Sequence, residues 1–176
     1  MGRRSPLLAL SLVLVSALAL SGCTLQPNVA SDPPSGKVGI TAPVLTGQTV
    51  EGDPLTVHFG AKKTVLIFWA SWCGPCRHEQ PFLSRMAIDL GSRGVQFIGV
   101  DFLDHDRAAA RAFEQEFKVP YLSLYDDPGG AAASYAVDSP PGKVLVNGQT
   151  IIVARIDGST TQDKLERLIQ AKLLAG

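Results

Sequence analysis

Residues 64–76 have the sequence Thr-Val-Leu-Ile-Phe-Trp-Ala-Ser-Trp-Cys-Gly-Pro-Cys. The first six form a continuous apolar run, which is typical of a strand buried on both faces. Pro75 suits the first turn of a helix, where a missing N–H costs little because that group has no partner inside the helix. The segment therefore predicts a buried strand that passes into a helix at a pair of cysteines.

The two cysteines, Cys73 and Cys76, are separated by two residues and can close a small disulfide. Unpaired N–H groups and the helix dipole at a helix N-terminus stabilise a thiolate. We therefore expect Cys73, at or just before the first helical position, to be the exposed attacking thiolate. Cys76 lies one turn further along the helix and is expected to resolve the mixed disulfide that Cys73 forms with a partner.

Three other uses of the cysteine pair are less well supported. A structural disulfide that closes so short a loop adds little stability. A zinc site needs four ligands, and the further candidates are the histidines His58, His78 and His105. Covalent haem attachment requires a histidine directly after the second cysteine, where Arg77 stands. The pattern favours redox chemistry, and no metal ligands are predicted.

Strand-like and helical segments alternate on both sides of this pair. Residues 44–50 and 55–59 are short extended stretches that predict an N-terminal β-hairpin. Further strands are predicted at residues 95–100, 121–125, 144–146 and 151–156, and helices at 75–90, 107–118, 130–135 and the C-terminus. Asn147-Gly148 is a two-residue hairpin signal. The order predicts one α/β domain over residues 38–176, with a central mixed β-sheet flanked by helices.

Composition excludes several classes of protein. The 176-residue chain has 16 Lys and Arg against 16 Asp and Glu, so no nucleic-acid partner is expected. Its hydrophobic content of 45% excludes an intrinsically disordered chain. The chain has three cysteines, and an odd number cannot all pair within one molecule. Cys23 therefore needs a separate explanation.

The N-terminus resembles the signal sequence of a bacterial lipoprotein. Two arginines precede the apolar residues 7–20, a stretch shorter than the roughly 17–25 residues of a membrane-spanning helix. Residues 20–23, Leu-Ser-Gly-Cys, resemble a processing site whose cysteine becomes lipidated. We predict a signal peptide at residues 1–22 and a lipidated flexible tether at 23–37, which hold the domain on the extracytoplasmic side of the cell membrane. Ordinary secretion and an uncleaved anchor are the alternatives.

The segment around the cysteines resembles the thioredoxin superfamily. It is most similar to the TlpA/ResA/DsbE group of membrane-tethered thiol–disulfide oxidoreductases, whose domains are of redoxin type. The resemblance covers about residues 38–174 and rests on residues 68–76, on Glu79 and Pro81, and on residues 135–146.

The resemblance implies a thioredoxin fold in which residues 101–137 form an additional helix and strand. It also implies electron transfer between dithiol and disulfide without a bound cofactor. The partners would be disulfide-bearing client proteins and a membrane thiol that donates electrons, often during cytochrome c maturation. The Gly-Pro pair between the cysteines is similar to that of thioredoxin and favours a reductant. A thiol oxidase or isomerase is the alternative, and a non-catalytic metal- or ligand-binding lipoprotein is a further one.

One position near the cysteines departs from thioredoxin. Thioredoxin carries a buried aspartate six residues before its first cysteine, where this chain has Ile67. Glu79, three residues after Cys76 and on nearly the same helical face, is similar in spacing to an active-site glutamate of the group. We expect Glu79 to exchange a proton with the resolving thiol. The alternative is a solvated carboxylate in the first turn that complements the helix dipole.

The resemblance also implies a proline, usually with a cis peptide bond, that faces the disulfide. By spacing this proline is Pro141, which Pro140 precedes. The preceding residue normally pairs its backbone with a bound substrate strand, and Pro140 has no N–H to donate. If Pro140 is itself the cis residue, Ser139 takes the contact role. Trp72, Pro140 and Pro141 are the expected substrate-binding residues.

Overall fold

A computed structural model describes residues 37–175 of the chain. The strands of this part are β1 Leu45–Gln48, β2 Pro54–Val57, β3 Lys63–Trp69, β4 Val95–Phe102, β5 Ser123–Asp126, β6 Gly142–Val146 and β7 Ile152–Asp157. Its helices are α1 Gly74–Gly91, α2 Arg107–Phe117, α3 Gly130–Ser134 and α4 Gln162–Ile169, which continues as a π-helical turn, Gln170–Leu174. The alternation of strands and helices confirms the predicted α/β class.

The central sheet has five strands in the order β5-β4-β3-β6-β7. β3 is parallel to β4, and β4 to β5, whereas β6 is antiparallel to both of its neighbours. Every residue of β3 after Lys63 is buried, because helices or the hairpin cover both faces of the strand. This is the predicted thioredoxin fold, and α2, β5 and α3 form the predicted insertion between β4 and β6.

The predicted N-terminal hairpin is present as a separate two-stranded sheet, in which β1 and β2 pair antiparallel. A bridge between Thr49 and Leu124 connects it to β5. Gly47 lies against the same leucine, since a Cβ at Gly47 would be 2.9 Å from Leu124 Cδ1. A glycine at this position therefore permits the close approach of the hairpin to the central sheet.

Side chains from the two faces of the sheet form separate cores. Val65, Ile67 and Trp69 of β3 lie in one core together with the two cysteines, and α1, α2 and α4 pack on it. Leu66 and Phe68 lie in the other core, which the hairpin and α3 cover. Successive β3 side chains alternate between the cores because a strand has a period of two residues. The disulfide therefore belongs to the core formed with α1.

The connection between β6 and β7 differs from the predicted two-residue turn. The strand register leaves residues 147–151 between the two strands. Asn147 Oδ1 accepts the N–H groups of Gln149 and Ile151 at 3.0 and 2.9 Å. This Asn side chain organises its own turn, and Thr150 takes the left-handed φ of 65° that the longer loop requires. The hairpin was therefore predicted correctly, but the predicted length of its turn was wrong.

Candidate active site

The disulfide lies where β3 passes into α1. Cys73 is the N-cap residue of α1 and is bonded to Cys76 in the first turn of the helix. Pro75 lies between them at the helix start, where it removes no intrahelical hydrogen bond. The sulfur atoms therefore lie at a helix N-terminus, where unpaired N–H groups favour negative charge.

The two cysteines differ in hydrogen bonding rather than in exposure. Each is 3% exposed in the disulfide form, so the expectation of an exposed Cys73 is wrong for this state. Both pack in the core formed by β3 and α1, which is why neither protrudes. The backbone N–H of Cys76 donates to Cys73 Sγ at 3.1 Å. After reduction, the same N–H is positioned to stabilise a thiolate on Cys73.

The segment that follows β4 holds the loop in front of the disulfide. The Ser71 backbone N–H donates to Asp104 Oδ2 at 2.7 Å. The Trp72 indole N–H donates to the carbonyl oxygen of Leu103 at 2.8 Å, and Leu103 has a φ of 58°. Trp72 is 60% exposed. An exposed indole that is fixed beside a disulfide can contact an apolar side chain of a client.

The predicted proline pair lies directly before β6. The peptide bond between Pro140 and Pro141 is cis, so the alternative with Pro140 as the cis residue does not apply. Gly142, the next residue, is paired in register with Phe68 near the end of β3. The prolines therefore lie at the end of the sheet from which the disulfide loop leaves. The Pro141 carbonyl oxygen accepts the N–H of Gly158 at 2.9 Å.

Replacing Pro140 with threonine tests whether clients pair with this backbone. We expect Pro140→Thr to raise the exchange rate with a protein disulfide about threefold to tenfold, the effect of one added hydrogen bond. Glutathione disulfide is too short to pair as a strand and serves as the control, with a rate within about twofold of wild type. Second-order exchange rates with both substrates are the measurement. An unchanged rate with the protein disulfide would exclude backbone pairing at Pro140.

Glu79 is buried on α1, so the alternative of a solvated carboxylate is wrong. Its Oε2 accepts a hydrogen bond from Lys143 Nζ, and its Oε1 accepts the Thr160 backbone N–H at 2.5 Å. Lys143 Nζ also donates to the carbonyl oxygen of Gly158 at 3.2 Å. Buried charges persist only with partners of this kind. The Glu79 carboxylate is thus held between α1, β6 and the segment that follows β7.

Lys143 is a functional candidate that sequence reasoning missed. Its side chain is fully buried, and the strand register places it beside Ile67, where thioredoxin carries its buried aspartate. Paired residues on neighbouring strands share a face of the sheet, so Lys143 lies on the face that carries the disulfide core. Burial lowers the pKa of Lys143, and the hydrogen bond and charge of Glu79 oppose that shift. The signal was a lysine within an otherwise apolar strand, since lysine is rarely buried unpaired.

Two further predicted features concern metals and the membrane. Within residues 37–175, no group of three or more His, Cys, Asp or Glu side chains is placed to hold a metal ion. In the same part of the chain, no helix is long and apolar enough to cross a bilayer. The predicted signal peptide, Cys23 and the predicted tether as far as residue 36 lie outside the described residues.

Comparison with known proteins identifies the family, because residues 37–169 match the Redoxin family model. The chain belongs to the Redoxin family. It is 33% identical over 177 residues to the thiol:disulfide interchange protein HelX of Rhodobacter capsulatus, with 97% of each chain covered. It is 32% identical to the DsbE homologue of Paracoccus denitrificans, over 93% of this chain and 90% of that one. A secreted Mycobacterium tuberculosis disulfide oxidoreductase has a similar fold, with a TM-score of 0.65, 27% identity and coverage of 72% and 95%.

Family membership and the cysteine pair together establish the class of reaction. This Redoxin protein is a thiol–disulfide oxidoreductase, as are the relatives that match it over nearly their whole length. Its redox pair is the Cys73–Cys76 disulfide. In such a reaction the sulfur atoms themselves carry the electrons, so the surrounding residues act on the thiolate and on the protons.

Proposed function

We propose that the protein reduces the disulfides of client proteins outside the cytoplasm, with Cys73 as the attacking thiolate and Cys76 as the resolving thiol. The observation that carries this assignment is the N–H of Cys76 directed at Cys73 Sγ. A thiolate at a helix N-cap with a donated N–H forms at lower pH than an ordinary thiol. The exposed Trp72 directly before Cys73 supports it as the cysteine that meets the client.

The proposed exchange takes two steps that balance electrons and protons. The Cys73 thiolate attacks one client sulfur, a mixed disulfide forms, and the other client sulfur leaves as a thiolate that takes a proton from water. Cys76 then loses its proton to Glu79 and attacks Cys73 Sγ. The Cys73–Cys76 disulfide forms, and the first client sulfur leaves as a thiolate that takes the proton from Glu79. The client gains two electrons, and the cysteine pair loses two.

The environment of Glu79 supports its part in the second step. It follows Cys76 by one helical turn, so both side chains lie on nearly the same face of α1. Hydrogen bonds from Lys143 and the Thr160 N–H hold the carboxylate in place on this side of α1. Burial lowers the pKa of Lys143, so this ammonium gives up its proton more readily than an exposed lysine does.

The direction of electron flow is proposed from the residues between the cysteines. Gly74 and Pro75 are the two residues that thioredoxin, a reductant, carries at these positions. Intervening residues alone do not determine a reduction potential. A thiol oxidase or isomerase is therefore the alternative function, and only the potential distinguishes it.

The proposed location is the extracytoplasmic face of the bacterial cell membrane. Cleavage before Cys23 and lipidation of its thiol would anchor the domain, with residues 23–37 as the tether. The secreted M. tuberculosis relative supports export. A membrane thiol protein would return electrons to the Cys73–Cys76 disulfide. Apocytochrome c is a suitable client, because its haem attaches through the two cysteines of a Cys-x-x-Cys-His motif, which must be reduced.

Redox titration of the Cys73–Cys76 couple in dithiothreitol buffers tests the direction. A reductant should have a potential near the value of about −270 mV known for thioredoxin, whereas a strong oxidant lies near about −120 mV. A potential close to the second value would overturn the reductant proposal in favour of an oxidase. Cys73→Ser/Cys76→Ser, which has no couple in the described domain, is the control for other thiols.

Trapping in cells forms the second arm of this test. Cys76→Ala cannot complete the second step, so a client should remain linked to Cys73 and be released by dithiothreitol. Cys73→Ala/Cys76→Ala is the matched control and should trap nothing. Adducts should occur in the membrane fraction, and Cys23→Ser should move them out of it. If no adduct forms and the protein binds a metal ion stoichiometrically, the proposed reductant function is wrong and the alternative of a non-catalytic metal-binding lipoprotein is favoured.

A further inference from the structure

Asp101 is a buried acid at the active-site end of the sheet that the proposed exchange does not use. It lies near the end of β4, paired in register with Trp69 of β3 and with Tyr125 of β5. Paired residues on neighbouring strands share a face, so Asp101 lies on the same face as Trp69. Trp69 packs in the core that contains the two cysteines. Asp101 itself is fully buried.

Neither carboxyl oxygen of Asp101 receives a hydrogen bond from a donor group among the described residues. The side chain within hydrogen-bonding reach is another carboxyl group, that of Asp104. An ionised carboxylate that is buried without a donor is far more costly than a protonated one. The geometry therefore favours a carboxyl group that keeps its proton at neutral pH. In agreement, burial, followed by the charges of Asp104 and Glu114, raises the pKa of Asp101 to about 9.

The groups that face Asp101 are mostly acids. The elements packed around it contribute Asp104 from the segment after β4, Glu114 from α2, and Tyr125 and Asp126 from β5. Arg107 lies over the Tyr125 ring at 4.4 Å, and it lowers the tyrosine pKa without reversing the increase from burial. Burial also raises the pKa of Glu114. A second negative charge beside Asp104 would therefore meet repulsion from several carboxylates.

Asp104 connects this acid to the loop that carries the cysteines. Its Oδ2 accepts the Ser71 N–H at 2.7 Å, two residues before Cys73, and the side chain is buried. The Tyr125 hydroxyl donates to the Asp104 carbonyl oxygen at 2.8 Å and fixes the same residue from β5. The hydrogen bond to Ser71 is strongest while Asp104 is ionised, because an ionised acceptor strengthens it.

We propose that Asp101 is a positioning residue that shares its proton with Asp104. The Asp104 carboxylate then remains able to accept the Ser71 N–H, which fixes the loop leading to Cys73. Two adjacent buried carboxyl groups cannot both ionise at low cost, and one shared proton satisfies both. The protonated carboxyl group of Asp101 donates a hydrogen bond to the Asp104 carboxylate. The Asp104 charge then remains available to the Ser71 N–H. This role rests on the proposed attack by Cys73.

Asp101→Asn and Asp101→Leu distinguish the effect of losing the hydrogen-bond donor from the effect of changing the side-chain volume. Asparagine is neutral and keeps a donor toward Asp104, so exchange with a client at pH 7 should stay within about twofold of wild type. Leucine offers no donor, and exchange should fall about tenfold, the effect of weakening one hydrogen bond to a charged group. Asp89→Asn is the control, because it makes the same substitution at an exposed aspartate near the far end of α1 and should leave the rate unchanged.

The dependence of the exchange rate on pH tests the proton itself, because a purely structural role of Asp101 would not change that dependence. Above about pH 9, Asp101 ionises, so the wild-type exchange rate should fall relative to that of Asp101→Asn. Thiol ionisation is common to both proteins and cancels in the ratio of the two rates. Between pH 3.8 and about 9 the folded protein keeps the Asp101 proton, whereas the unfolded chain has lost it. The contribution of Asp101 to wild-type stability should therefore decline as pH rises across that range. Asp101→Asn should lack this decline.

Infrared spectroscopy of the wild-type protein tests the proton directly. A C=O band of a protonated carboxyl should be present at pH 7, should disappear above about pH 9, and should be missing in Asp101→Asn. If the band is missing from wild type at pH 7, or if the rate ratio does not change with pH, the proposal is overturned. A wild-type protein that shows the band but exchanges no disulfide would instead overturn the proposed function.

Discussion

Cys73→Ser is expected to reduce disulfide exchange to the uncatalysed rate, whereas Cys76→Ser should keep the first step intact. Serine preserves the size of the side chain and can still accept the Cys76 N–H at the N-cap. A hydroxyl without an adjacent base is not a nucleophile at neutral pH, so the first step is lost. Cys76→Ser retains the attacking thiolate and should form one stable adduct with a peptide disulfide. Stopped-flow kinetics and mass spectrometry of the reduced variants measure both outcomes.

The comparison between the two serine variants contains its own control. Each variant lacks the Cys73–Cys76 disulfide, so loss of the cross-link cannot explain a difference between them. The adduct rate of Cys76→Ser, followed against pH, should reveal a thiol pKa below the ordinary value of about 8.5, because the helix N-terminus and the Cys76 N–H favour the thiolate. If Cys73→Ser forms the adduct and Cys76→Ser does not, the assigned roles of the two cysteines are reversed.

Local patterns were sufficient to predict the α/β class and the position of the redox pair, whereas the thioredoxin fold was implied by the family resemblance. The apolar run of β3, the cysteine spacing and Pro75 lie within one short segment, and each depends only on neighbours in the sequence. Apolar spacing likewise located α1 and α2 to within a few residues. These features are strong because backbone geometry imposes a period of two or 3.6 residues on the chain.

Contacts between distant segments could not be predicted in this way. Lys143 and Glu79 are separated by 64 positions, and they meet only because β6 is placed beside β3 in one particular register. Ser71 and Asp104 are separated by 33 positions and meet because β3 and β4 end together. Strand order and register decide such pairs, and a single sequence does not contain either directly.

The burial of Cys73 and the protonation of Asp101 could not be predicted for a related reason. Burial of the cysteines depends on how β3, α1, α2 and α4 pack together in one core. Asp101 lies in the apolar strand β4, and its unusual property is that both oxygens lack a donor. A missing partner is a property of the whole surrounding structure, so residue spacing carries no signal for it.

Lys143→Met is expected to destabilise the protein by about 3–5 kcal/mol at pH 7, the usual cost of removing one partner of a buried ion pair. The substitution leaves the buried Glu79 carboxylate without its charged partner, although the Thr160 N–H remains. Methionine has a similar length and flexibility, so little packing is lost. Urea unfolding monitored by circular dichroism measures the change in the free energy of unfolding.

Glu79→Gln/Lys143→Met removes both charges and should recover most of that stability, to within about 1 kcal/mol of wild type. Glutamine keeps an oxygen to accept the Thr160 N–H. The double-mutant cycle isolates the interaction between the two side chains. Burial lowers the folded-state pKa of Lys143 below the ordinary value of 10.5. Between these two pKa values the folded protein binds fewer protons than the unfolded chain, so the contribution of Lys143 to wild-type stability should rise with pH there. The double variant should lack this rise.

The same double variant separates the stabilising role of the pair from its role in proton transfer. Without the Glu79 carboxylate, the first step at Cys73 should keep its rate, whereas the second step at Cys76 should slow about 100-fold, the lower end of the usual effect of a general base. Decay of the mixed disulfide with a protein client, followed by stopped-flow fluorescence, measures the second step alone. A double variant that is stable and resolves the mixed disulfide at the wild-type rate would limit the Glu79–Lys143 pair to a structural role, because the thiol proton must then leave by another path.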